Sequence, residues 1–363
     1  MVDATLINYV RQSLNQGVPT KDVAAMLAKA GWTREQIKNT VDQVMAELPT
    51  KPIIRIEGLS KAFNHKAVLD NVYLHIRKGE IFGIIGPSGA GKTTLLKLLV
   101  GYHQAEKGDI IIHQGKQSFS IFKNPQMSKR LIGFSTQSPS VYGKLTVFEN
   151  LLHFGALYGL TKQERESRAR ALLHLVELDE SQATLAANLS GGMQKRLDIA
   201  CSLMHNPPIL ILDEPTADLD PVMRKAMWSL VKEINKKGTT IIMASHFLGE
   251  IENLCDRIAI VRNHTITEVG SADELKDAYT KNFVLHLETQ RQDYKELLSQ
   301  LQPHKALYES IEQKEKAIMI RTARPEETLS FIAAMLQSAG DKIRHVHVAR
   351  PSMQELFMVL VKK

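Results

Sequence analysis

The chain of 363 residues contains no run of 18 consecutive apolar residues, so no stretch of it has the length and apolarity of a membrane-spanning helix. Its first residues, Met1-Val2-Asp3-Ala4-Thr5-Leu6, supply neither the basic n-region nor the apolar h-region of a secretory signal. Cysteine is scarce. Cys201 and Cys255 are the only two, both in helix-like stretches without metal-ligand spacing around them. That excludes a disulfide framework and fits buried thiols in a reducing cytoplasm. Long Lys/Arg blocks are also missing. The formal net charge of +7 suits nucleic acid, acidic headgroups or nucleotides as partners, but the positive charges are interspersed with acids, as on an ordinary solvated surface. The length allows a sizeable core and two or three domains.

What is present begins at residues 86–93, Gly-Pro-Ser-Gly-Ala-Gly-Lys-Thr, which fill the G-x-x-x-x-G-K-[ST] template. The apolar run Ile81–Ile85 precedes it and the helix-like Thr94–Leu99 follows, which is the strand–loop–helix context the motif needs. Gly86, Gly89 and Gly91 let the backbone curl so that N–H groups, including those of Pro87-Ser88-Gly89-Ala90 where an N–H exists, turn toward phosphate oxygens. The new helix, with Thr93 and Thr94 in its first turn, adds its positive end. Lys92 is placed for the β/γ-phosphates and the Thr93 hydroxyl for Mg²⁺. The expected ligand is a nucleoside triphosphate.

Residues 208–214, Pro-Ile-Leu-Ile-Leu-Asp-Glu, read as a short buried strand with two acids at its carboxyl end, where parallel α/β sheets bind ligands. Asp213 is placed to hold Mg²⁺ and Glu214 to orient or deprotonate water, which points to hydrolysis. Upstream, Leu189-Ser190-Gly191-Gly192-Met193 precedes apolar residues at Met193, Leu197, Cys201 and Met204. The Ser-Gly-Gly turn therefore starts a helix and offers a second anion-binding end.

On these motifs residues 53–275 resemble the nucleotide-binding domain of ABC transporters. The resemblance implies further roles: Gln137 in Gly-Phe-Ser-Thr-Gln-Ser-Pro as the glutamine-loop residue and a Mg²⁺ ligand, and His246 in Met-Ala-Ser-His-Phe as the switch histidine. It also implies that Ala217-Asp218-Leu219-Asp220 is the loop between paired subunits, with Asp220 near the nucleotide, and that Phe63 stacks on adenine. Two cassettes would pair head to tail, each ATP lying between one P-loop and the partner's Ser190-Gly191-Gly192 turn. One chain carries one cassette, so a symmetric homodimer is implied.

Around that domain the sequence is less specific. Tyr142–Asn150 opens a run of helix formers to about residue 178, which the resemblance makes the subdomain that meets a membrane subunit. Residues 281–363 alternate like strands at 283–287, 317–320 and 343–348, with a helix started near Pro325, and suggest a small α+β domain. Their ending, Pro351-Ser352-Met353-Gln354-Glu355-Leu356-Phe357, resembles that of exporter-type ATPases serving drug, sodium, lipid or polysaccharide permeases. His345 and His347 share a strand face but have no further ligands beside them in sequence. Residues 1–50 read as three short helices, the third opened by the capping box Thr33-x-x-Gln36, with balanced charge that argues against a DNA-binding arm. Protein docking, autoregulation and a passive appendage stand open for this module. Thr50-Lys51-Pro52 is the expected linker.

The expected whole is an α/β P-loop ABC-type ATPase domain with a helical subdomain, an N-terminal three-helix module and a C-terminal α+β domain. Its expected work is ATP hydrolysis, with Mg²⁺, as the subunit of an exporter. It would sit on the cytoplasmic face of the membrane through a separately encoded permease, with no nucleic-acid partner. The rival is a soluble ABC ATPase acting on ribosomes, nucleic acid or protein assemblies. The paired cassettes, long coiled coil or metal-cluster cysteines common in such proteins are not evident here.

Overall fold

Ile81–Ile85 is buried at all five positions, as a strand covered on both faces must be. This strand, β3, lies within a six-stranded sheet. In the computed structural model, which describes residues 4–15, 18, 20–47, 52–279, 283–314, 317–350 and 352–355, the chain forms two compact units, residues 1–271 and 272–363.

The first unit opens with α1 (Ala4–Asn15), α2 (Thr20–Lys29) and α3 (Arg34–Glu47). Their apolar faces meet in a small core of Leu6, Val10, Leu14, Val23, Leu27, Ile37 and Val44. Thr33 and Gln36 form the expected capping box, with the Gln36 amide donating to Thr33 Oγ1 and the Thr33 amide donating to Gln36 Oε1. Residues 48–51 lie outside the described residues, which removes most of the expected linker, and Pro52 already opens β1 (Pro52–Phe63). An antiparallel sheet follows in the order β2-β1-β4-β5, with β2 Lys66–Arg77, β4 Lys107–Gln114 and β5 Gln117–Ser120.

The six-stranded sheet has the order β10-β9-β3-β8-β7-β6, with β6 Ile132–Ser135, β7 Ile209–Asp213, β8 Thr240–Ala244, β9 Arg257–Arg262 and β10 Thr265–Gly270. All neighbours are parallel except the β9–β10 pair. Its helices are α4 (Lys92–Leu99), α5 (Pro125–Leu131), α8 (Gly191–Ser202), α9 (Pro221–Lys236) and α10 (Leu248–Leu254). α4 buries Leu95, Leu96, Leu98 and Leu99, each worth about 1.5–3 kcal/mol of transfer free energy. Beneath β3, Arg257 and Glu80 form a buried ion pair at 3.3 Å, and burial pushes the Glu80 carboxyl above its usual range against the pull of Arg257. Removing one partner of such a pair leaves a buried charge and costs about 3–5 kcal/mol. Cys201 lies buried in α8, whereas Cys255 caps the end of α10 instead of lying within a helix.

The run of helix formers after residue 146 is two helices, α6 (Val147–Leu157) and α7 (Lys162–Leu175). Gly159 turns the chain at φ +79, and Thr161 starts α7 through a capping box with Glu164, as Thr146 does for α6 with Glu149.

The second unit comprises α11 (Ala272–Tyr279), β11 (Phe283–Thr289), α12 (Lys295–Leu301), β12 (Ser310–Lys314), β13 (Ala317–Thr322), α13 (Pro325–Ser338) and β14 (Ile343–Ala349). Its antiparallel sheet, ordered β12-β13-β11-β14, shares a core with α12 and α13 built on Leu285, Leu287, Tyr294, Leu301, Ile320 and Ile332. Ser352 and Glu355 cap one another in the Pro351–Phe357 ending, of which residues 351, 356 and 357 lie outside the described residues. His347 faces His286 across the strand pair, and no group of three or more metal-ligating side chains occurs among the described residues.

Candidate functional site

Four adjacent parallel strands, β3, β8, β7 and β6, end on the same edge of the central sheet. The chain leaves β3 into the glycine loop and Lys92, β8 into His246, β7 through Asp213 to Glu214, and β6 toward Gln137. One edge thus receives four separate stretches of sequence, at the end of the sheet where α/β folds bind ligands.

The loop from Gly86 to Gly91 is shaped by contacts that exclude side chains. A Cβ on Gly86 would lie 2.5 Å from the Val261 carbonyl oxygen, and Gly91 has φ +103 with the Val68 carbonyl 2.9 Å from where its Cβ would be. Pro87, Ser88, Gly89 and Ala90 span the loop between them, with Ser88 and Gly89 exposed. α4 then starts at Lys92, carrying Thr93 exposed and Thr94 half-buried in its first turn. The Lys92 ammonium donates to the carbonyls of Gly86 at 2.9 Å and Pro87 at 3.1 Å. Burial lowers its pKa while Glu214 and Asp213 raise it, so a polyanion in the loop matches both the charge and the cradle.

Thr93 Oγ1 donates to Asp213 Oδ1 at 3.5 Å. Burial pushes the Asp213 carboxyl above its usual range, the Thr93 hydroxyl pulls it back, and the charge of Glu214 pushes it up again. Two hard oxygen donors side by side, one of them a carboxylate, fit Mg²⁺. Glu214 follows with φ +49, its amide donating to the Ala244 carbonyl at 2.9 Å. One of its carboxylate oxygens meets His246 Nδ1 at 2.7 Å and accepts from the His246 amide at 3.3 Å. The His246 turn is held in place by Phe247 donating to Ser245 Oγ, and by Ser245 donating to the buried carboxylate of Glu250. Glu214 is thus oriented by a histidine and kept in a left-handed backbone conformation, a form of strain that accumulates at functional sites.

Gln137 is exposed on the turn after β6. Phe63 ends β1 with 40% of its surface exposed, its edge against the His103 ring at 5.2 Å and Lys61 Nζ 5.0 Å from its centre. A flat aromatic ring is therefore open to a stacking partner. Ser190 caps α8 by accepting from the Met193 amide at 3.3 Å. Ser190 and Gly191 are exposed and nothing lies within 4 Å of a Cβ on Gly191, while Gly192 packs on Met223. Asp220 has a job that the resemblance did not imply: its Oδ1 accepts from the amides of Val222 and Met223 and so caps α9.

Sequence reading missed Lys195 and Asp198, both buried in α8 and both bonded to the segment that carries Gln137. A polar pair inside an apolar helical pattern gives no signal of its partner. His103 was likewise not anticipated beside Phe63.

A glycine loop of the shape that suits phosphate, an adjacent hydroxyl–carboxylate pair and an oriented glutamate together point to a P-loop ATPase. The ABC transporter family profile matches residues 69–217, and the profile described as the ATP-binding protein DrrA1-3-like C-terminal domain matches residues 270–361. The chain is 30% identical over 308 residues to the linearmycin resistance ATP-binding protein LnrL of Bacillus subtilis, covering 85% of this chain and 98% of that one. It is 33% identical over 225 residues to the Nod factor export ATP-binding protein I of Sinorhizobium fredii, covering 62% of this chain and 64% of that protein, a little under two thirds of its length. Among solved structures, a dimeric ATP-binding cassette in a post-hydrolysis state with ADP and Pi matches with TM-score 0.53 and 26% identity, covering 60% of this chain and 98% of that one. The chain belongs to the ATP-binding proteins of ABC transporters. It is an ATPase subunit that binds ATP and serves a membrane permease, and no helix among its described residues is long and apolar enough to cross a membrane.

Proposed function

We propose that this subunit closes as a head-to-tail homodimer on two ATP molecules and uses the closure to drive export by a separately encoded permease. It would do so as a peripheral protein on the cytoplasmic face of the membrane. The observation that supports the reading is the shared edge of β3, β8, β7 and β6, on which Lys92, Thr93, Asp213, Glu214 and His246 of one chain converge. The exposed Ser190-Gly191 turn at the start of α8 adds anion-binding groups that remain open to a partner's nucleotide. Names given to relatives, for linearmycin resistance and for Nod factor export, favour export over work on ribosomes or nucleic acid. We assign residues 53–275 to the cassette, with residues 1–50 and 281–363 as accessory domains.

Within the site, Lys92 and the loop amides hold the phosphates, Phe63 stacks on the base, and Thr93, Asp213 and Gln137 hold Mg²⁺. The metal, when bound, neutralises charge on the β- and γ-phosphate oxygens. Glu214 orients a water and accepts its proton, while His246 fixes the Glu214 carboxylate and reaches toward the transferred group. Asp220 serves by shaping the loop between subunits through its cap on α9. The test is a mixture of two inactive variants. Ser190→Arg and Lys92→Ala are each expected to lack turnover as homodimers. A mixed dimer has one site missing both groups and one site intact, so ATP-dependent pairing and partial turnover are expected to return on mixing. If the mixture does no better than either variant alone, the head-to-tail arrangement is wrong.

A further inference from the structure

α8 buries three charged side chains: Arg196, which donates to the Val176 carbonyl and to Glu177, and Lys195 and Asp198, which both turn to the segment after β6. Lys195, 5% exposed, donates its ammonium to the carbonyls of Thr136 and, at 3.4 Å, Gln137. Asp198, 3% exposed, accepts from the Ser135 hydroxyl at 2.6 Å and from the Ser140 amide at 2.8 Å. Four of the six residues from Ser135 to Ser140 are therefore tied to one helix by one cation and one anion. Within the turn itself, the Thr136 hydroxyl donates to the Ser138 carbonyl at 2.6 Å and meets Ser140 Oγ at 3.0 Å. Gln137 lies at its exposed tip.

A buried charge must be matched by strong partners, and a rigid helix is a better anchor than a loop. Both charges meet that condition. Lys195 is paired with two carbonyl oxygens, and Asp198 with a hydroxyl and an amide. The same helix begins at Ser190, five residues or roughly 7.5 Å of helical rise before Lys195. Gln137 and Ser138 themselves are exposed at the tip of the turn.

We propose that Lys195 and Asp198 are positioning residues that lock the Gln137 turn onto α8, so that Gln137 and the Ser190 turn move as one body. The proposal rests on the reading of Gln137 as a metal ligand and of Ser190 as a contact to the partner's nucleotide. On that reading Gln137 serves its own chain's site and Ser190 the opposite one. A displacement of the turn, for instance by a permease, is then delivered through Lys195 and Asp198 to Ser190. The two ATP sites are then coupled through α8.

The test uses the full-length chain with Lys195→Met, Lys195→Arg, Asp198→Asn and Gln137→Ala. Hydrogen exchange without nucleotide reads the clamp directly, since the Ser140 amide is protected by Asp198. Exchange at Ser140 and its neighbours is expected to quicken in Lys195→Met and Asp198→Asn and to stay slow in Lys195→Arg and Gln137→Ala. In turnover, Lys195→Met and Asp198→Asn are expected to raise the Mg²⁺ concentration for half-maximal activity by about tenfold, as loss of an outer partner of a metal ligand does, with Lys195→Arg recovering most of it. Should Asp198→Asn fail to fold, Ser135→Ala removes a single bond of the same clamp and is expected to give a smaller change of the same kind. Unchanged exchange and an unchanged Mg²⁺ requirement in folded Lys195→Met overturn the proposal. If Gln137→Ala leaves the Mg²⁺ requirement untouched, the metal role of Gln137 falls, and the clamp is then judged by exchange alone.

Discussion

Replacing Glu214 by glutamine alters one oxygen of one side chain, and the structure sets what should follow. His246 presents two groups to the carboxylate, Nδ1 at 2.7 Å and the backbone amide at 3.3 Å, both to the same oxygen. A glutamine Oε1 can accept both, so the turn after β8 stays in place and stability changes by less than about 1 kcal/mol. The left-handed backbone at this position, with its N–H donating to the Ala244 carbonyl, does not involve the side chain and is indifferent to the exchange. What is lost is the proton acceptor. A general base contributes roughly 10²–10⁴ to rate, or about 3–5 kcal/mol of barrier.

The loop of Lys92 and the Thr93–Asp213 pair is not touched, so ATP affinity should remain within about threefold of the parent, a difference of roughly 0.65 kcal/mol. Binding without turnover leaves the closed dimer as the end state. With ATP and Mg²⁺ the variant should elute at twice the 40.7 kDa of the monomer, and with ADP it should not. Steady-state release of phosphate and light scattering on the eluting species read both effects. Turnover within tenfold of the parent would refute the role of Glu214 as base. Dimerisation equal in ATP and ADP would refute closure as the step that hydrolysis reverses.

Two further outcomes follow from the surface and from two half-buried histidines. Membrane attachment through a permease should survive a wash in about 1 M salt, where the Debye length is only about 3 Å and adhesion of scattered cations to acidic lipid is screened. Retention that ignores the permease and vanishes in salt would replace the protein contact with lipid adhesion. Burial, then the charges of Arg257 and Arg77, lowers His75 from 6.5 to about 3. Burial, with Arg168 adding to it, lowers His205 from 6.5 to about 4. Both are neutral in the folded state, so their contribution is complete above the unfolded value of 6.5 and is lost as pH falls from there toward 4 and 3. His75 removes up to about 1.4 kcal/mol per pH unit over that window, and His205, which is less buried and screened by solvent, removes less. The urea midpoint should therefore drop between pH 7 and pH 5, and His205→Phe, which keeps a ring stacked on Tyr158, should flatten the drop. An identical pH dependence in that variant would show that His205 does not carry it.

The parts of the site that could be read from sequence share one property: their geometry is local. A strand, a glycine loop and a helix in succession fix where Lys92 and Thr93 go, because no residue outside that stretch has to be known. The same holds for the acids that end β7, for the Ser190 cap of α8 and for the Thr33–Gln36 capping box of α3. The break between α6 and α7 was also local, written in Gly159 and in Thr161-x-x-Glu164, yet the composition of the flanking residues obscured it. β12 left little trace because Ser310–Lys314 has a single apolar residue and lies at the edge of its sheet, where alternation has no buried face to record. Asp220 shows a different limit. An Asp before Pro221 is an ordinary helix-start signal, and the resemblance to a family drew attention to the nucleotide instead of to the cap it makes.

Lys195 and Asp198 mark the boundary of what one dimension can show. They stand among Arg196, Leu197 and Ile199, where the apolar positions of α8 establish a helix but say nothing about polar residues on the same buried surface. Their meaning comes from Ser135–Ser140, about 60 positions earlier, which reaches α8 only because β6 lies beside β7 at the edge of the sheet. Burying both charges is tolerable only if the turn is always there to receive them, so the pair specifies the position of the turn as strictly as the turn satisfies the pair. An apolar contact of similar size could slide, whereas a carboxylate bonded to one hydroxyl and one amide has a single register. Fixed register is what a glutamine at a turn's tip needs if it is to meet a metal ion held by Thr93 and Asp213.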